Sequence, residues 1–274
     1  MSDKTSNSSS SGGGWYSHYV LVVLMIVYIF NFIDRNILSI LAQDIKADLG
    51  ISDAEMGFLY GTVFAVFYAV FGIPLARFAD VWTRRSLISI GLGFWSLMTA
   101  ASGLARSFGA LAAFRIGVGI GEASASPSAY SMLGDYYPPH MRATVIAIYA
   151  AGVYIGAGIG IFLGGYILDW WATTYPVNAP FGLKGWQAAF MAVGIPGILM
   201  AFWVRTLKEP ARGVTEGIVT EKHPAPFRLL GEELLAVIPP FNLKPLIGHT
   251  KELRFNFIAA LAITLLAYFL ITLT

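Results

Sequence analysis

Five windows of this 274-residue chain run for 20 residues or more without Lys, Arg, Asp or Glu: 56–76, 86–105, 143–168, 185–204 and 255–274. About 20 consecutive apolar residues cross a bilayer as an α-helix, so each window predicts a membrane span. Two more spans are interrupted by charge. The run from Trp15 to Ile33 meets Asp34 and Arg35 and continues apolar to Ala42, and 107–134 is apolar and small apart from Arg115 and Glu122. That predicts an all-α membrane protein of seven spans, the last ending at Thr274. Composition agrees, with 56% hydrophobic and 12% charged residues, against about 25% charged in a soluble domain. A soluble enzyme, a disordered chain and a nucleic-acid binder are disfavoured, and a net charge of +2 gives no general attraction to polyanions. No nucleic-acid partner is expected. With no Cys, disulfides, Fe–S clusters and thiolate zinc sites are excluded.

The basic residues set an orientation. Of the 18 Lys and Arg, Lys46, Arg106 and Lys184 fall on one side, Arg35 and Arg115 within spans, and all others on the side of the N-terminus. The positive-inside rule then predicts a multi-pass protein of the cell membrane with a cytoplasmic N-terminus. Residues 1–14 read as a flexible cytoplasmic tail, because the apolar stretch after them is too long for a signal peptide. Six spans occupy 15–208, a cytoplasmic linker occupies 209–250, and the seventh span takes 251–274. Trp170, Trp171 and Trp186 flank the outer loop before span six, as an aromatic belt would. In the linker, PFRLLGEELLAVI (226–238) puts Phe227, Leu230, Leu234 and Val237 on one helical face. This predicts an amphipathic helix lying on the inner membrane surface, or one binding a soluble partner.

Charges inside a span face protein or a water-filled cavity and are functional candidates by default. Arg115 and Glu122 are seven residues apart, on one face and about 10 Å apart along the axis. Asp34 and Arg115 each lie about 12–13 Å below the outer surface, so they can be level, with Glu122 deeper. Tyr28, Asn31 and Arg35 extend the polar stripe on span one, and Ser126 and Tyr130 extend it on span four. The expectation is that Arg35 or Arg115 neutralises Asp34. A carboxylate in an apolar cavity exchanges its proton nearer neutral pH than a solvated one, which makes these acids candidate proton carriers. A purely structural ion-pair cluster is the other reading, although two buried acid–base pairs are a costly way to pack helices.

A second cluster lies at the inner ends of spans two and four. Asp80, Arg84 and Arg85 close the turn after span two, and Asp135 and Arg142 occupy the turn after span four. Pairing of the first three with Asp135 or Arg142 would form a cytoplasmic latch. Ordinary positive-inside anchoring explains the arginines but not the aspartates. Small residues at four-residue spacing, Gly57, Gly61, Ala65 and Ala69 in span two and Gly152, Gly156, Gly160 and Gly164 in span five, predict close helix contacts. Pro127 and Pro196 predict kinks.

Together these stretches carry a resemblance. Residues 34–213 resemble the N-terminal half of a major facilitator superfamily transporter. Asp80-(VWT)-Arg84-Arg85 is similar to that superfamily's loop motif between spans two and three, with Ala76, Val81 and Thr83 where Gly, Arg or Lys, and Gly are usual. Arg115-(IGV)-Gly119-Ile120-Gly121 is similar to its span-four motif. GAGIGIFLGGY (156–166) is similar to the span-five motif of the antiporter branch, with Ile161 in place of Pro, and Gln187 replaces a common Arg. FIDRN (32–36), FRIGVGIGEASASPSAY (114–130), GWQAAFMAVGIPG (185–197) and LKEPARG (207–213) resemble the spinster branch. The resemblance covers about two thirds of the chain and implies an N-terminal six-helix bundle followed by the start of a second half. It further implies alternating-access, proton-coupled transport of a lysolipid, sphingosine-phosphate-type or other amphiphilic organic anion. Asp34, Arg35, Arg115 and Glu122 would line the central cavity. The implied partners are membrane lipids, a small amphiphilic substrate and a missing C-terminal half, because the chain reads as a truncated twelve-span protein. No cofactor is expected beyond the coupling proton.

Other classes fit less well. A channel, or a half-transporter that is inactive until it finds a second half, remains open. A seven-span receptor needs the opposite orientation, and a retinal protein needs a Lys that 255–274 lacks. A membrane enzyme is not expected, since His18, His140, His223 and His249 lie at or outside span ends.

Overall fold

The computed structural model describes residues 14–217 and 223–237, together with positions 255, 257–259, 261, 262 and 265. Every regular element among them is helical. In chain order they are α1 (Trp15–Ile40), α2 (Ala42–Leu49), α3 (Asp53–Gly57), α4 (Phe64–Val81), α5 (Arg84–Ser102), α6 (Phe108–Glu122), α7 (Ala125–Tyr136), α8 (Pro139–Thr174), α9 (Gly185–Arg205) and α10 (Pro226–Val237). Up to Arg205 they make six rods, one for each span predicted within 15–208. Span two is composite, because a π-helical turn, Phe58–Val63, joins α3 to α4. Four rods are by themselves long and apolar enough to cross a membrane: Trp15–Ile40, Asp53–Val81, Pro139–Thr174 and Gly185–Arg205. The other two are α5, which opens on Arg84 and Arg85, and the divided pair α6–α7.

Local chemistry places the helix ends. Ser52 and Glu55 form a reciprocal capping box at the start of α3, which satisfies two otherwise orphaned N–H groups. The Ser107 hydroxyl accepts from the Ala110 N–H at 3.2 Å and starts α6. Gly50, at φ 65°, ends α2 in the left-handed region that glycine adopts without strain. The division of span four follows from Pro127. It has no N–H for the Ala123 carbonyl, and the turn before it tightens, with the Ser124 N–H and hydroxyl both donating to the Gly121 carbonyl. By contrast, α9 stays one helix through Pro196.

Glycines set which rods touch. A Cβ on Gly156 would stand 2.5 Å from the Ile29 carbonyl oxygen, and one on Gly160 would stand 3.1 Å from the Ile33 backbone. The predicted glycine stripe of span five is therefore the face by which α8 lies on α1. On the other side of the bundle, Gly194 of α9 meets the Ala100 backbone and Gly121 of α6 meets Trp95, so α5 is clasped between them. Span two departs from expectation: Gly57 and Gly61 meet no heavy atom within 4 Å, and Ala65 and Ala69 are exposed. That stripe faces open space rather than a close helix crossing.

The chain divides into two compact units, Met1–Pro226 and Phe227–Thr274. The second contains nearly all of α10, the helix predicted as amphipathic, where Arg228 pairs with Glu232 at 2.9 Å. The described positions from 255 to 265 are helical. The rest of the predicted seventh span, and the tail up to residue 13, lie outside the described residues.

Candidate functional site

Asp34 and Arg35 are successive residues on α1 and so point about 100° apart. Asp34 turns inward and is 1% exposed. Arg35 keeps 26% of its side chain exposed, and its Nε donates to Glu122 Oε2 at 2.8 Å. Its guanidinium lies against three rings, 5.0 Å from Phe32, 4.8 Å from Phe64 and 4.7 Å from Tyr68. Arg115 is buried. It donates through Nη1 to the Asp34 backbone carbonyl at 3.4 Å and lies 5.5 Å from the same Phe64 ring. Phe64 thus serves two cations at once, and ring faces attract cations most strongly where water is excluded.

The pairing differs from expectation. Arg35 is engaged with Glu122 rather than with the Asp34 carboxylate, because the turn between adjacent residues sends the two side chains to different helices. Six buried polar atoms around this junction have no hydrogen-bond partner: Asn31 Oδ1, Asp34 Oδ1, Trp95 Nε1, Thr99 Oγ1, Arg115 Nε and Glu122 Oε1. Buried polar atoms left unpaired are unfavourable, which sets this junction apart from the satisfied polar groups elsewhere in the bundle.

Beside the ion pair stands a cluster of hydroxyls. Tyr28 stacks on Tyr149 at 4.4 Å between ring centroids, and Tyr130 meets Tyr149 edge-on at 5.4 Å. The Ser126 hydroxyl faces both the Tyr28 and Tyr149 hydroxyls. Tyr130 is exposed, whereas Tyr149 is buried. Tyr28, Ser126 and Tyr130 thus gather about Tyr149, with Arg35 near Tyr28, while Asn31 faces Glu122. Sequence reasoning missed Tyr149, Phe64 and Tyr68. For Tyr149 a signal was present: it precedes Gly152 by three positions, on the stripe that packs against α1.

The predicted latch residues are only partly joined. Arg84 is fully buried and pairs with Asp135 and with Glu209, the latter at 2.8 Å through Nε. It also donates to the Ser131 carbonyl, the Ser131 hydroxyl and the Pro210 carbonyl. Glu209 receives the backbone N–H groups of Arg84 and Arg85, and so closes the N-terminus of α5. The Arg85 side chain donates to the Leu207 carbonyl at 2.6 Å. Arg212 caps the end of α4, donating to the Ala79 and Trp82 carbonyls. Burial, with Arg84 nearby, pulls the Arg212 guanidinium below the usual arginine range. Arg142 binds Glu216 and Thr215 instead of the span-two turn. Asp80 is exposed and lines a hollow of about 590 Å³ with Trp82, Glu209 and Arg212. The partner missed from sequence is the strap Leu207–Glu216, which follows α9 and ties the ends of α4, α5 and α7 together.

A family model described as Major Facilitator Superfamily matches residues 24–274. The chain is similar to Protein spinster of Drosophila melanogaster, 30% identical over 71% of this chain and 30% of that protein. It is also 30% identical to a probable L-galactonate transporter of Escherichia coli, over 65% of this chain and 36% of that one. Among solved structures it resembles a bacterial homolog of the human lysosomal transporter Spinster in an inward-facing and occupied conformation. That match has a TM-score of 0.69 and 39% identity, covering 74% of this chain and 46% of the other. The chain spans less than half the length of each of these relatives.

Proposed function

We propose, from the premise that this chain belongs to the Major Facilitator Superfamily and is spinster-like within it, that it forms part of a proton-coupled secondary transporter. The chain has the N-terminal part of that membrane-spanning fold. Its substrate is an organic anion, with a lysolipid or sphingosine-phosphate-type amphiphile as the favoured class, carried by alternating access across the cell membrane. The arginine-rich side faces the cytoplasm. Sugar-acid transport by a relative, as its name states, supports the anionic group, and the aromatic surround of Arg35 supports an apolar body attached to it.

One observation carries the reading: a part-exposed cation, Arg35, is held by a fully buried acid, Glu122. An arriving anion can take the guanidinium from Glu122. The released carboxylate sits in an apolar surround that disfavours its charge, so it binds a proton. Substrate and proton then compete for one charge, and each biases the access states of the cavity. Asp80, exposed on the cytoplasmic side, is left to act on other parts of the protein, while Arg84 and Asp135 lock this unit internally.

The test is anion uptake into proteoliposomes under an imposed pH gradient, paired with anion exchange without one. Glu122→Gln mimics the protonated acid and is expected to abolish the pH-driven component while exchange persists. Asp34→Asn is expected to weaken both. Undiminished pH dependence in Glu122→Gln would overturn the assignment, and flux without saturable counterflow would make the protein a channel.

A further inference from the structure

Span three contributes nothing to the polar stripe that lines the proposed pathway, yet it buries two donors at the height of the charged residues. Trp95 and Thr99 are one helical turn apart on α5, so they share a face. Both side chains are fully buried. Two other α5 hydroxyls are satisfied by backbone, Ser89 by the Ala201 carbonyl and Ser102 by the Met98 carbonyl. The Trp95 indole N–H and the Thr99 hydroxyl both face the Asp34 carboxyl. In this conformation they stop short of a formed hydrogen bond, as does Asp34 Oδ1.

An indole N–H is a donor and nothing else, so burying it without an acceptor is unfavourable. Its position is also fixed. A Cβ on Gly121 would stand 2.8 Å from Trp95 Cβ, so α6 presses on the tryptophan at the residue next to Glu122. The groups that face Asp34 are Arg115 and Glu122 from α6 and Thr99 and Trp95 from α5, with Arg35 its neighbour on α1. Arg115 spends its formed bond on the Asp34 backbone rather than on the carboxylate. The α5 pair therefore supplies the neutral donors that face the carboxyl, beside an Arg115 whose Nε is also unpaired.

We propose that Trp95 and Thr99 are positioning residues that hold the Asp34 carboxylate and so set its proton affinity; this rests on the proton-coupled reading above. A small approach of α1 to α5 completes both bonds and favours the charged acid. Their loosening, as seen here, favours its protonation. A helix outside the pathway thereby tunes the proton step.

The experiment follows the carboxyl itself. In protein purified into lipid nanodiscs, infrared difference spectra against pH contain a carboxyl band that Asp34→Asn removes. Thr99→Val deletes one donor with little change of shape, and Trp95→Phe deletes the other at the cost of a small cavity. Each is expected to move the half-point of that band upward by about one pH unit, a tenfold change in proton affinity. The pH profile of uptake should move the same way. Thr99→Ser keeps the hydroxyl and is expected to match the parent in both readouts. Identical half-points in the parent, Thr99→Val and Trp95→Phe would overturn the proposal, as would the absence of an Asp34-dependent band at any accessible pH. A band that moves in protein showing no pH-driven uptake would instead uphold the donor pair and defeat the transport reading.

Discussion

A cation as deeply buried as Arg84 is tolerable because each of its side-chain nitrogens has an acceptor: Glu209 at Nε, Asp135 and Ser131 at Nη1, and Pro210 at Nη2. Glu209 does two things here, countering the guanidinium and terminating α5. Glu209→Gln keeps the shape but removes the charge, and is expected to destabilise the protein by about 1–3 kcal/mol. Chaotrope unfolding in detergent measures it, and an unchanged midpoint would mean that Asp135 alone suffices. Arg84, Arg85 and Asp135 were legible as a cluster because charged residues crowd two short turns. Glu209 was not legible as their partner. It lies 125 residues from Arg84, and nothing in a sequence says which loop folds back onto which helix end. The same limit applied at Asp34 and Arg35: their divergence is inherent in helical geometry, but which neighbour each meets depends on how the rods are rotated.

At the level of the helices, charge spacing was the strongest guide, since exclusion of charge from lipid is a large and local effect. It recovered all six rods up to Arg205. The interruption at Ala123–Ser124 had a signal in Pro127, which removes a backbone bond, but the same signal at Pro196 left α9 continuous. The π-helical turn at Phe58–Val63 had no such signal, as it depends on packing rather than composition. Small-residue stripes were an ambiguous guide: span five uses its stripe and span two leaves its own open. This difference can be measured. Gly156→Val places atoms against the Ile29 carbonyl and is expected to destabilise by about 1–3 kcal/mol. Gly158→Ala meets no atom within 4 Å and is expected to be neutral or to stabilise by about 0.5–1 kcal/mol through helix propensity. Thermal denaturation in one detergent compares them, and equal effects would show that the α8–α1 contact tolerates added volume at Gly156.

For the molecule as a whole, the strap carries the packing of the first unit past its last long helix. Gly213 donates to Asp135 at 2.9 Å, and Arg142 holds Glu216 at 2.6 Å, so the ten residues of the strap, 207–216, stay fastened. Removing both acids, Asp135→Asn with Glu209→Gln, is expected to free the segment and speed tryptic cleavage after Arg212 severalfold in the detergent-solubilised protein. Cleavage at the parent rate would show that the arginine contacts to backbone carbonyls hold it unaided. Fastened residues also add nothing to the contour length of a tether. Ten residues extend at most about 35 Å, and withdrawing that length from a tether would confine its free end to a smaller volume. Effective concentration falls roughly as the three-halves power of tether length once a linker exceeds the span it must cover. A tether rooted at Glu216 rather than at Arg205 would hold its cargo at a higher effective concentration, without a single contact to it.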